Sequence, residues 1–184
     1  MSQQRTPESR IPVRLEPHSP TWAARFEAEK TALLIALKSS VEDIQHFGST
    51  SVPGMSAKPT VDILIGIATF PWQHDDVLET LGYSFYKAPH PSWRVYLKPY
   101  RDNVRGYHLH IVKHDSEHWR SHLLFRDYLR EHPLAAATYS EEKLRLAERF
   151  QGERGKYQAG KKSIVDELMT EAKTWRSKAS GKGF

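Results

Sequence analysis

The chain has 184 residues, 39% of them hydrophobic, with 27 Lys and Arg against 22 Asp and Glu, ten His and no Cys. That length suffices for one domain with a real hydrophobic core, and the lack of cysteine excludes disulfides, thiolate metal sites and cysteine nucleophiles together. No apolar run approaches the roughly 20 residues that span a bilayer, and residues 1–7 are polar, unlike a secretory signal. A cytoplasmic protein with no membrane contact is expected, and the net charge of +5 suits phosphorylated ligands without demanding them.

Residues 1–19 carry three prolines and few large apolar groups, which predicts an extended arm. Apolar positions 22, 26, 33, 34 and 37 predict an amphipathic helix from near Thr21 to about Lys38. Residues 41–47 and 59–67 read as strands, and a helix over 73–81 stops at Gly82. Further strands are expected at 83–86, 93–98 and 105–113, between Pro-rich and polar turns. After Asp115 the period changes. Ser116 caps a helix with apolar positions 119, 123, 124, 128 and 129, and Pro133 opens another to about Phe150. Gly152, Gly155 and Gly160 predict a loop, Ser163-Ile164-Val165-Asp166 a capping box for a last helix, and residues 177–184 a frayed tail. The outline is α/β (α+β): a mixed sheet with flanking helices and a mainly helical C-terminal third from about residue 116. It reads as a single domain over 20–176 between the arm and the tail. The positive excess falls in the last third with alternating signs, the pattern of solvated helix faces, so RNA is not the expected partner.

Two stretches carry chemistry. Gly48-Ser49-Thr50 makes a turn of small and hydroxyl residues between two strands, where backbone and hydroxyl donors can approach phosphate oxygens. It is not a Walker A loop, because no Gly-Lys-Ser/Thr closes it. In the strand that follows, residues 61, 63, 65 and 67 share one face while Thr60, Asp62, Leu64 and Gly66 share the other. A carboxylate in so apolar a strand needs a cation, a metal or donated hydrogen bonds, so Asp62 is the leading candidate for a functional acid. Lys58 is placed to neutralise charge beside it. His108 and His110 alternate onto one face of a strand and can ligate an ion or contact a phosphate, although Val112 breaks a histidine triad. His46 precedes the turn by two residues, and Arg94 and Arg105 are candidate phosphate clamps. His118 and His122 have zinc-protease spacing but Trp119 stands where the glutamate is needed, so they read as surface residues and Trp119 as core.

His46-Phe47-Gly48-Ser49-Thr50-Ser51-Val52-Pro53-Gly54, with Ala57-Lys58-Pro59 and Val61-Asp62-Ile63, resembles the signature of the GrpB family. Tyr107-His108-Leu109-His110-Ile111-Val112, the stretch from Trp119 to Arg130, and Trp22 with Phe26 extend the resemblance from about Val13 to Met169. The resemblance implies a nucleotidyltransferase-like fold: a small mixed sheet, a Gly-Ser turn and an acid-bearing strand. Such enzymes carry two acids two residues apart on one metal site, and here Leu64 occupies the second place. In some bacteria a similar domain follows dephospho-coenzyme A kinase.

The expected function is therefore binding of a nucleotide or related phosphorylated small molecule, with metal-dependent nucleotidyl transfer if the site is catalytic. In that case Asp62, His108 and His110 hold a divalent ion (Mg, Mn or Zn) or move a proton, while His46, Gly48, Ser49, Thr50, Lys58, Arg94 and Arg105 bind phosphate. The alternatives are a degenerate nucleotide- or coenzyme-binding regulatory module, favoured by Leu64, and lastly an RNA-binding protein.

Overall fold

The structure is a computed structural model that describes residues 13–100, 104–151 and 153–180; the expectations for residues 1–12, Gly152 and residues 181–184 lie outside the described residues. Its elements run α1 (Thr21–Leu37), β1 (Asp43–Phe47), β2 (Val61–Ile67), α2 (Asp75–Thr80), β3 (Ser84–His90), β4 (Trp93–Tyr100), β5 (Val104–Lys113), α3 (Glu117–Glu131), α4 (Pro133–Arg149), α5 (Arg154–Gly160) and α6 (Lys162–Ser180). The strands form one mixed sheet in the order β1-β2-β5-β4-β3. Only the central β2–β5 pair is parallel.

The alternation read from β2 divides the sheet. Val61, Ile63, Ile65 and Ile67 enter a core with Trp22, Phe26, Leu33 and Leu37 of α1 and Leu78 of α2. On the opposite face Leu64 and Val112 meet Phe47 and Trp119, so α3 covers one part of that face. Being buried on both sides explains why β2 is almost uniformly apolar. A separate core joins Tyr128 and Leu129 of α3, Ala136 and Tyr139 of α4, and Leu168 and Ala172 of α6 around Val52 and Met55. No described helix is long and apolar enough to cross a membrane.

Three expectations fail in the C-terminal third. The glycine-marked loop is helix α5, because burying Tyr157 to 1% exposure outweighs a helical glycine's cost of about 1 kcal/mol. The capping box is absent, since Val165 N–H already donates to Lys161 O and Ser163 sits inside α6. The tail assigned to residues 177–184 is helical through Ser180, up to the residue before Gly181.

Candidate functional site

The uncovered part of the second sheet face forms the floor of a cleft of about 560 Å³, roofed by α4 and α5. The parallel register sets Asp62 beside His108 and Leu64 beside His110, so one face presents all three polar side chains. His108 Nδ1 lies 3.2 Å from Asp62 Oδ1. Burial pushes the Asp62 carboxyl up, but the hydrogen bond from His108 and the nearby imidazoles outweigh it and hold the group below the usual carboxylate range. Asp62 is therefore ionised at neutral pH.

The turn is built against that carboxylate. Gly48 has φ of +70°, and a Cβ there would run into the Asp62 carboxylate, so both backbone conformation and space demand glycine. Ser51 N–H and Oγ both donate to Gly48 O, at 3.1 and 2.6 Å. From behind, Arg130 donates to Ser51 O at 2.9 Å and Arg126 to His46 O at 3.0 Å. These α3 arginines hold two carbonyls at the turn. Ser49, Thr50 and Lys58 line it, and the Lys58 ammonium lies 4.7 Å from the centre of the Tyr157 ring.

The remaining expected residues stand elsewhere. His46 faces away from the cleft, stacked on Phe26 at 4.8 Å, with Nε2 3.0 Å from Thr50 Oγ1. Burial, with Arg130 and Arg126 nearby, pushes it down to about 4, so it supports the turn as a neutral ring. Arg94 pairs in register with Ile111 on that same face, and its guanidinium donates to Pro91 O. It does not line the cleft. Arg105 pairs with Pro99 at the start of β5, and its side chain lies outside the described part of the structure. His118 and His122 are half-buried rather than fully exposed: both pack against Trp93, and His122 stacks on Phe47 at 5.0 Å.

The donor set fits a protein-held divalent metal poorly. Among the described residues no three His, Asp or Glu side chains assemble as ligands. His110 lines the cleft, but its Nδ1 accepts from Trp93 Nε1 at 3.2 Å, and burial pushes it down to about 3. Leu64 offers no oxygen, leaving Asp62 and His108 turned to each other.

Instead the cleft is lined by basic residues. Among the described residues, Lys58, Lys87, Lys143, Arg154 and Lys161 line it against the single carboxylate of Asp62. Four of these were not singled out from sequence, because they come from β3, α4 and the two ends of α5. One signal was readable. Ala136, Tyr139, Lys143 and Leu146 form the buried stripe of α4, so Lys143 occupies a position patterned for an apolar residue.

The sequence matches the family described as GrpB protein over residues 12–171. It is 33% identical over 165 residues to the glutamate-rich protein GrpB of Alkalihalophilus pseudofirmus, covering 86% of this chain and 95% of that one. With a UPF0157 protein of Pseudomonas aeruginosa it shares 35% identity over 168 residues, covering 87% of this chain and 67% of the other. Among solved structures, the crystal structure of the conserved protein GrpB from Enterococcus faecalis is similar with a TM-score of 0.73 at 32% identity, over 86% of this chain and 98% of that chain.

Proposed function

The chain belongs to the GrpB family, and from its cleft we propose that it binds a nucleotide or a related phosphorylated small molecule. The phosphates lie between the 48–51 turn and the cations of α4 and α5. One observation carries this reading: among the described residues, five lysine and arginine side chains and one carboxylate line one concave site. Such a focused field attracts polyanions, and charge-assisted hydrogen bonds from lysine and arginine supply affinity. The order of a Gly-Ser turn followed by an acid-bearing strand supports a nucleotidyltransferase-like placement. Basic side chains of the protein itself supply the counter-charge to the ligand.

Nucleotidyl transfer is the second reading, and the Asp62–His108 pair favours it. A carboxylate hydrogen-bonded to an imidazole can orient it to accept the proton of a hydroxyl that attacks the α-phosphorus, as the bond to the leaving pyrophosphate breaks. Binding and transfer separate in one experiment. Calorimetric titration of nucleotides and coenzyme A precursors, in magnesium and in chelator, should show a ligand that binds under both conditions. Asp62→Asn should keep that binding and abolish any turnover of labelled nucleotide. Binding that vanishes in chelator would overturn the metal-free reading, and activity unchanged in Asp62→Asn would remove the transfer site.

A further inference from the structure

Lys143 is 2% exposed, yet its side chain reaches the cleft. Its Nζ donates to Ser49 Oγ at 3.0 Å and to Ser56 O at 2.6 Å, and lies 4.9 Å from the centre of the Tyr139 ring. Lys161 stands 4.9 Å from the Tyr157 ring centre. Neither amine is ion-paired with a carboxylate among the described residues. A buried ammonium without counter-charge is strongly disfavoured. Burial and the neighbouring charge of Lys161 accordingly bring Lys143 down to about 7, against the opposing pull of Asp62.

The hydrogen bonds describe the same imbalance. A neutral amine has two N–H groups, and Ser49 Oγ and Ser56 O accept both. An ammonium has a third, for which the described residues offer only the face of the Tyr139 ring. Among the described residues Asp62 is the one carboxylate lining the cleft, on β2 with His108 and His110 beside it on the floor; Arg154, Tyr157 and Lys161 line it beside Lys143 in the roof, Lys58 from the loop before β2, and Lys87 from β3.

Resting on the reading of this cleft as a phosphate site, we propose that it selects a doubly ionised phosphate, a monoester or the end of a polyphosphate, and that Lys143 takes up a proton as that group binds. The incoming oxygens accept the third N–H and supply the missing counter-charge to Lys143 and Lys161 together. A phosphodiester carries one charge and leaves one amine uncompensated.

The test is calorimetry of adenosine 5′-monophosphate, its 3′,5′-cyclic diester and pyrophosphate, each in two buffers of different ionisation enthalpy. At pH 8 the monoester is already a dianion, since its second pKa is about 6, so any proton taken up goes to the protein. The monoester should bind at least about tenfold more tightly than the diester, with close to one proton taken up at pH 8; at pH 6, where about half of the monoester is still a monoanion, uptake should give way to net release. Lys143→Met should abolish the uptake; the pH and buffer comparison on the unaltered protein stands even if that variant fails to fold. Equal affinity for the diester, or dianion preference without proton uptake, overturns the proposal and leaves the cleft a phosphate site. Failure of monoester, diester and pyrophosphate alike to bind removes the site itself and the proposal with it.

Discussion

Gly48 ties backbone shape to site chemistry through one missing side chain. A methyl group there strains a positive φ and collides with the Asp62 carboxylate, which must then leave His108. Gly48→Ala should destabilise the protein by about 1–3 kcal/mol and weaken binding of the cleft ligand, read by urea unfolding and calorimetry. An unchanged midpoint and affinity would show that the turn relaxes freely. At this scale Asp62, His108 and His110 were legible because strand alternation alone assigns them a face. Lys143 was less so: its stripe position marks it as buried, but only the packing of α4 over the 48–51 turn says what it touches. His46 misleads for the complementary reason, since proximity in sequence to the turn does not decide which face of β1 it occupies.

At the level of elements, the arm before α1 has a task that composition could not assign. Glu16 and Ala57 exchange both backbone hydrogen bonds, at 2.8 and 2.9 Å, and Leu15 joins the cleft wall. The pairing holds the loop that carries Ser56, acceptor for Lys143, and Lys58. Removing residues 1–19 should leave the circular dichroism of the sheet and helices intact while lowering ligand affinity, and full affinity in the shortened chain would make the bridge incidental. Strands and the Ser116 cap, whose Oγ accepts from Trp119 N–H at 3.3 Å, were legible from local pattern and capping chemistry. Helix α5 was not, because its glycines argue for a loop and only contacts far along the chain argue back.

Over the whole molecule, neutral imidazoles drawn at least partly out of water link stability to pH. His46, His110 and His122 lie on different elements, and burial pushes them down to about 4, 3 and 4. A group depressed in the folded state and titrating near 6.5 when unfolded contributes stability that is full above 6.5 and lost as pH falls towards its folded value. His46 alone accounts for about 3 kcal/mol across that window. The urea midpoint should therefore fall steeply between pH 6.5 and 4.5, before Asp62 takes up its proton; a flat response would mean these rings charge without penalty.

The cleft also lies on a seam. Its floor belongs to the sheet and its roof to α4 and α5, and the helical core around Tyr139 and Leu168 is distinct from the one beneath α1. Cores of this kind can open one at a time, each with its own free energy. A ligand touching both the turn and Lys161 staples them, so that opening the roof requires the ligand to leave first. How long the C-terminal helices stay closed, and hence how readily a protease cuts them, then becomes a function of ligand concentration.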